Sequence, residues 1–490
     1  MGGAAPKRVA VIGGGVTGLV AAYRLLQTSN GTPIEVMVFE ASSTLGGKLR
    51  TGELAGIPLE EGADSFVVRK PWAIDLCREL GLGEELVAPV AGGAHVWARG
   101  RLIPFPKAAA FGVPSTAEDL LRWPGLSLRG RLRALVDLVR PARKDADDES
   151  IRSLAARRLG PEAADVLVGP LLAGIHAGDP DRLGVAATFP ELRTWERGHG
   201  SLIRGSRAAA RAARESRDPL PLFATLWTGL SRLPQTLAAA LGPARIRTGE
   251  PVASLERDAA GWTVRVASQP MVADAVVLAT PAFESARLLR SVSTEASREL
   301  EGIPYASTAL VSFVYPRGTA GTLPPGTGFI VPGGPEAPAL TACTWVSSKW
   351  PREEHDGRAV LRCYVGRHGD QAALELADDE LVARITDEVE RITPLGDRPD
   401  AAHVVRWHRS MPQYEVGHLD RLARIHSALG TGSGVFLAGS AYRGVGIADC
   451  VRQGREVAEQ VRLHLAPARP GGSTPNGAET DRGVEQEATT

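Results

Sequence analysis

Unbroken apolar runs and helical periodicity alternate at the start of this chain. Val9-Ala10-Val11-Ile12 carries no polar side chain, the pattern of a parallel strand buried on both faces. Leu19-Val20-Ala21-Ala22-Tyr23-Arg24-Leu25-Leu26 predicts a helix. Ile34-Glu35-Val36-Met37-Val38-Phe39 predicts a second strand, which ends on Glu40. Between the first strand and the helix lies Gly13-Gly14-Gly15-Val16-Thr17-Gly18, a G-x-G-x-x-G turn. Strand, glycine turn, helix, strand and terminal acid make a βαβ dinucleotide-binding unit. Gly13 permits the tight turn, Gly15 lets a pyrophosphate approach the backbone, and Gly18 lets helix and strand pack closely. The free N–H groups of the helix N-terminus, at Val16 and Thr17, meet phosphate charge. Glu40 is placed to hydrogen-bond a ribose diol. A glycine turn alone would signal only a turn; the flanking elements supply the specificity.

Further along, the pattern is discontinuous. Trp72 to Leu80 predicts a helix stopped by Gly81. Val96 to Phe105 alternates around Gly100 and predicts a hairpin, ended by Pro104-Phe105-Pro106. Residues 116–178 read as helical, interrupted by a charged loop from Pro141 to Glu149. Residues 191–218 are rich in arginine and alanine, and a solvated helix or loop is favoured there over a docking patch, because no clean apolar face is present. Strand signals return at Arg245-Ile246-Arg247, Pro251-Val252, Trp262 to Val266, and Ala275 to Leu278, the last followed by Thr280-Pro281. Residues 309–314, 328–331, 341–346 and 359–365 are β-rich, and 377–393 form an amphipathic helical pattern. Val435 to Ser440 is a strand ending at Gly439. Gly444-Val445-Gly446-Ile447 then makes a second glycine turn before a helix over 451–463. From Ala466 the composition turns to Pro, Gly, Ser, Thr and Glu, which predicts a disordered tail.

Composition narrows the function classes. Lysine plus arginine equal aspartate plus glutamate at 56 each, so no global basic field argues for nucleic acid. The four cysteines lie far apart with no C-x-x-C pair, which fits a reducing compartment and argues against a structural zinc site. His403 and His408 lack a third ligand, so no metal is expected. No run of about 18 apolar residues is present, and no signal or transit peptide is visible at the N-terminus. A cytoplasmic address is expected, with peripheral membrane contact left open.

The residues after Glu40 separate flavin from nicotinamide. Glu40-Ala41 is succeeded by Gly46-Gly47-Lys48, then by Gly62-Ala63-Asp64-Ser65-Phe66. This succession resembles the flavin amine oxidase superfamily. More specific stretches are Pro104-Phe105-Pro106-Lys107, Pro170 to Ile175 with Ala177-Gly178-Asp179, and Thr341-Ala342-Cys343-Thr344-Trp345. To these are added Lys349-Trp350-Pro351, Arg406-Trp407-His408, Met411-Pro412-Gln413-Tyr414 and Gly444 to Cys450. With them the chain, over residues 7–463, resembles the HemY-type porphyrinogen oxidases, in particular the coproporphyrinogen III oxidases. Monoamine oxidases and phytoene desaturases share the glycine loops but would not be expected to share Thr-Ala-Cys-Thr-Trp or Met-Pro-Gln-Tyr.

The resemblance implies an α/β plus α+β architecture. A discontinuous Rossmann-like FAD-binding domain would comprise residues 7–90, 222–295 and 430–465. A β-rich substrate domain would take 91–110 and 296–429, a helical region would be inserted at 111–221, and 466–490 would be a tail. FAD would be held by Gly13, Gly15, Val16, Thr17, Gly18, Glu40, Gly46, Gly47, Lys48, Gly62, Ala63, Asp64, Ser65, Val252, Thr280, Gly439, Val445, Gly446 and Ile447. The implied reaction is oxidation of a porphyrinogen in haem biosynthesis by three two-electron steps, with O2 as acceptor and H2O2 as product. The flavin carries that chemistry, so no catalytic side chain is assigned. Coproporphyrinogen has four propionates, so cations are expected at the pocket rim: Lys70 first, then Arg69, with Lys349, Arg406 and Tyr414 as weaker candidates. His176 departs from the family, which usually has tyrosine there; it is read as a packing histidine. Transient contact with a ferrochelatase is a further implication. The alternatives are a protoporphyrinogen IX oxidase, a flavin amine oxidase of another substrate class, and a non-catalytic FAD-binding protein. Aromatics are only 5% of the chain, which weakens the amine oxidase reading because that chemistry calls for an aromatic cage.

Overall fold

The computed structural model describes residues 5–27, 33–106, 108–143, 147–215, 221–259, 261–334 and 337–466. Nearly all of the tail expected to be disordered lies outside these residues, as do Lys107 and Arg217.

Three distant stretches of chain build one five-stranded parallel sheet. Its order is Ile246–Thr248, Ile34–Glu40, Lys7–Ile12, Ala275–Leu278, Val435–Leu437. The apolar run of the first strand has a direct cause here. Val9 and Val11 join the core under the helices Val16–Gln27, Arg232–Leu241 and Ile447–Leu465. Ala10 and Ile12 join a second core on the opposite face, with Trp262, Val264 and Leu289. A strand covered on both sides has no solvent face, so alternation disappears. The strand order reverses at Lys7–Ile12: the chain pairs first with Ile34–Glu40, then returns on the other side with Ala275–Leu278. The Gly13–Gly18 turn lies at the carboxyl end of that strand, where open α/β sheets bind ligands.

A seven-stranded sheet stands apart, in the order Ala401–Pro412, Tyr305–Arg317, Arg358–Val365, Leu340–Trp345, Gly328–Ile330, His95–Ala98, Arg101–Pro104. One face packs on the helix Asp378–Ile392 through Leu381, Ile385 and Val389. Two elements here are not anticipated from the sequence: the edge strand Ala401–Pro412 and the helix His418–Leu429. The closing helix starts at Ile447, not at Val451, so Asp449 and Cys450 fall within its first turn.

Helices between Ala117 and Glu215 share a third core. The charged loop expected over 141–149 supplies Glu149 to a buried ion network. Glu149 pairs with Arg157 at 2.6 Å and Arg193 at 2.8 Å, and Arg157 also pairs with Glu196 at 2.6 Å. Arg204, Arg207, Arg211 and Arg214 of the helix Leu202–Glu215 are exposed. Among the described residues, no helix is long and apolar enough to cross a membrane.

Candidate functional site

The glycine turn is tied to its neighbours by backbone and carboxylate bonds. Gly13, at φ +110°, donates its N–H to the Phe39 carbonyl at 2.8 Å. Gly14 N–H donates to Glu40 Oε2 at 2.7 Å, and Ser42 N–H and Oγ both donate to Glu40 Oε1 at 2.8 Å. Gly46 N–H reaches back to the Gly14 carbonyl at 2.9 Å, so the two glycine motifs touch. The decisive contrast is between Gly15 and Gly18. A Cβ on Gly18 would fall 2.0 Å from the Gly13 carbonyl oxygen. A Cβ on Gly15 would meet no protein atom within 4 Å. Gly18 is therefore required by the protein's own packing, whereas Gly15 borders open space of the kind a phosphate occupies at a helix N-terminus. Beside Glu40 opens a cleft of about 430 Å3 lined by Ser43, Thr44, Leu45, Gln235, Ala238 and Thr248.

Lys48 is half-buried, and its Nζ donates to the Ser410 carbonyl at 2.7 Å, joining the Gly46-Gly47-Lys48 loop to the end of the edge strand Ala401–Pro412. Burial pushes its pKa down. Ala63 N–H donates to the Lys48 carbonyl at 3.2 Å, which brings the Gly62–Ser65 segment alongside. Asp64 accepts from Lys349 Nζ at 2.9 Å and Ser65 Oγ at 2.8 Å. Burial alone would raise its pKa, but the charges of Lys349 and Arg362 outweigh it and hold the carboxyl well below the usual range.

The C-terminal turn comes to the same place. Gly439 and Gly444 have φ of +132° and +113°, and Gly446 is the extended N-cap of the helix Ile447–Leu465. Val445 is half-buried and Ile447 buried. Cys450 is buried, and its thiol is pushed up chiefly by that burial. Thr280 Oγ1 lies 2.8 Å from Ser285 Oγ, and Val252 is 4% exposed in the core of the opposite sheet face.

The expected substrate groups are distributed differently. Lys70 Nζ pairs with both Asp449 oxygens, at 2.8 and 2.9 Å, on the first turn of the closing helix. It remains 45% exposed, so this tether stands at the surface. Arg69 is exposed. Lys349 is not a free cation: it is 12% exposed, paired with Asp64, and lies over the rings of Phe223 and Trp350. Arg406 is likewise engaged by the protein. It pairs with Asp378 and donates to the Leu374 and Leu376 carbonyls, next to the helix Asp378–Ile392.

Tyr414 serves the protein, with its hydroxyl fully used. Tyr414 is completely buried; its Oη donates to the Ser440 carbonyl at 2.7 Å and accepts from Gly444 N–H at 3.0 Å. Its ring stacks on His418 with centroids 4.1 Å apart. His176 is buried against Tyr414 and Phe189. Sequence reasoning also missed Asp449, Gln413 and Arg362, whose partners are remote in sequence: Lys70, the His176 carbonyl and the Gly62 carbonyl. No local spacing could signal them.

Burial of His176 and His418 should make the fold sensitive to acid. Burial lowers both pKa values to about 4; the charge of His418 adds to this at His176, and the bond to the Tyr442 carbonyl only partly offsets it at His418. Both rings therefore take up a proton more readily in the unfolded chain, near 6.5, than in the folded one. Their neutral packing is fully favourable above about pH 6.5 and is lost as pH falls towards 4. Melting temperatures measured from pH 7 to 4.5 should drop less steeply for His418→Gln than for the parent. Parallel curves would assign the acid sensitivity to other groups.

The sequence profile of the flavin containing amine oxidoreductase family matches residues 16–462. The coproporphyrinogen III oxidase of Bacillus subtilis is 34% identical over 94% of this chain and 98% of its own length. The chloroplastic protoporphyrinogen oxidase of Oryza sativa is 30% identical over 93% of this chain and 88% of its own. A crystal structure from Exiguobacterium sp. 255-15, provisionally assigned as a protoporphyrinogen oxidase, superposes with a TM-score of 0.83 at 31% identity, covering 94% and 99% of the two chains. FAD is the cofactor that goes with this family, and the open space at Gly15 beside Glu40 fits its pyrophosphate and ribose. The chain belongs to the flavin containing amine oxidoreductase family.

Proposed function

We propose that this chain oxidises coproporphyrinogen III to coproporphyrin III, losing six electrons in three steps with O2 as final acceptor. The observation that carries this reading is the end-to-end similarity to a coproporphyrinogen III oxidase, at 34% identity and with both chains covered almost entirely. When bound, FAD supplies the two-electron acceptor for a hydride leaving a bridge carbon.

The chain's own residues then have three tasks. Gly13–Gly18 and the first turn of the helix Val16–Gln27 take the pyrophosphate, while Glu40 takes the ribose diol. Gly46, Gly47, Lys48 and the Gly62–Ser65 segment would hold the flavin, and Val252 and Thr280 are assigned to the same cofactor. Gly439, Val445, Gly446 and Ile447 close the site, and the positive end of the closing helix favours negative charge there. Tyr414 fixes the curvature of that closing turn through its two hydroxyl bonds.

Lys70 and Arg69 are the exposed cations on the Gly62–Lys70 segment, and Lys70 is assigned to a propionate. A charge-assisted contact of this kind contributes about 1.5–3 kcal/mol. Lys70→Ala should therefore weaken kcat/KM for coproporphyrinogen by roughly ten- to a hundredfold. Unchanged kinetics would make Lys70 purely a tether for Asp449.

The reading as a whole is tested by comparing anaerobically prepared coproporphyrinogen III and protoporphyrinogen IX under air, following porphyrin fluorescence. Coproporphyrinogen should be consumed faster, with H2O2 released and no added NAD. Preference for protoporphyrinogen would favour the second reading, which the Oryza sativa and Exiguobacterium relatives support. Turnover of neither would leave a flavin-binding protein of another role.

A further inference from the structure

Behind the Gly62–Ser65 segment lies a cavity of about 30 Å3. The hairpin strands Thr51–Leu54 and Ile57–Glu60, Trp350, Arg352 and Arg362 of the strand Arg358–Val365 line it, and it is partly open. That volume suits one or two waters or a single small ion. Its lining has more donors than acceptors. Arg362 is 2% exposed, and its Nε and Nη1 have no hydrogen-bond partner. Its Nη2 donates to the Gly62 carbonyl, and Nη1 stands 3.9 Å from Asp64 Oδ2. Trp350 Nε1 is likewise buried and unpartnered. Arg352 lines the same space, with its guanidinium 4.5 Å from the centre of the Trp227 ring.

The acceptors in the lining are already engaged. Asp64 takes Lys349 and Ser65. Glu60 takes Leu230 N–H at 2.7 Å and the Thr51 hydroxyl at 3.1 Å. Arg352 and Arg362, with Lys349 behind Asp64, thus meet two carboxylates in the lining; Glu354, which also faces Arg352, is exposed and screened by solvent. Waters would satisfy the free N–H groups but would leave the excess positive charge in a desolvated place, where charge is costly unless paired.

We propose that this cavity is an anion site that takes one halide-sized monovalent anion, held by Arg362, Arg352 and Trp350. The anion completes the shell of Arg362, whose other arm holds the Gly62 carbonyl, and so braces the Gly62–Ser65 segment from behind.

Occupancy is linked to Glu60. Burial raises the pKa of Glu60 to about 7, against the opposing effects of Leu230 N–H, Arg362 and Thr51, while the charge of Asp64 adds to the rise. The charged groups facing it are Arg352, Arg362 and Asp64. As pH falls through 7, Glu60 becomes neutral, the positive excess grows, and the anion binds more tightly.

Crystals of the flavin-loaded enzyme soaked in sodium bromide should show an anomalous peak in this cavity, within hydrogen-bond distance of Arg362 Nε or Nη1. Water alone there, or a flavin atom, overturns the site. In solution, the melting temperature of the holoenzyme should rise with chloride relative to gluconate at equal ionic strength, and more at pH 6 than at pH 8. Arg362→Met and Arg352→Gln each remove a charged donor and should weaken the apparent chloride affinity about ten- to a hundredfold. If Arg362→Met does not fold, Arg352→Gln still decides. A chloride response in Arg352→Gln equal to the parent's refutes the proposal.

Discussion

Replacing Gly15 with valine should give a folded but colourless protein. Most substitutions in a glycine turn confound loss of ligand with loss of fold. Here the two separate, because a Cβ at Gly15 meets no protein atom within 4 Å. The new side chain enters only the space assigned to the pyrophosphate. Purified Gly15→Val should therefore carry almost no flavin, even after incubation with excess FAD, while its circular dichroism and melting temperature match those of the stripped parent. Gly18→Val is the control with the opposite outcome. Its Cβ would press on the Gly13 carbonyl at 2.0 Å, and the helix could no longer sit against the strand. A Gly15→Val protein with full flavin would move the cofactor to another part of the fold.

Arg158→Met should cost far more stability than Gly15→Val. Arg158 and Asp137 are both completely buried. Arg158 Nε donates to Asp137 Oδ1 at 2.5 Å, and its Nη atoms serve the carbonyls of Asp137, Arg140, Pro141 and Gly200. Asp137 in turn accepts from Ser201 Oγ at 2.5 Å and Ile203 N–H at 2.9 Å. Methionine would leave the Asp137 charge without a cation in the core of the helical region. Breaking a buried pair from one side costs about 3–5 kcal/mol. Urea denaturation should show this as an early loss of the helical signal. Adding Asp137→Leu to Arg158→Met should recover part of the loss, since the stranded charge goes with it. A single variant as stable as the parent would mean that water reaches Asp137 and compensates.

Local pattern exposes the five-stranded parallel sheet far better than the seven-stranded sheet. Val9–Ile12 and Ala275–Leu278 are apolar throughout because both faces of their sheet are covered, and a run of that kind is legible in the sequence. The strand Ala401–Pro412 is not, because most of its residues are half-buried at a sheet edge and neither alternation nor an apolar run survives. Sequence pattern starts the closing helix four residues late, because Ile447–Cys450 adjoins a glycine-rich turn and reads as part of it. Side-chain roles are hardest. Lys349 reads as a free cation until Asp64, 285 residues away, is brought to it. Tyr414 reads as a pocket phenol until Ser440 and Gly444 take its hydroxyl. Pairings across such separations are made by topology, and no spacing rule reports them.

The parallel sheet has a consequence for how the enzyme is made. Its strands come from the first 40 residues, from 246–278, and from 435–437. The helix Val16–Gln27, which opens the nucleotide turn, packs on the helix Ile447–Leu465, and Gly454 is the contact point: a Cβ there would lie 2.7 Å from the Thr17 carbonyl. A nascent chain on the ribosome thus exposes its nucleotide turn long before the covering helix Ile447–Leu465 is made. The apolar face of Val16–Gln27 therefore has to be shielded from aggregation until residues 447–465 are made. Most of the sheet's stabilising contacts close very long loops, so refolding from denaturant should be slow and should yield more holoenzyme when FAD is present throughout.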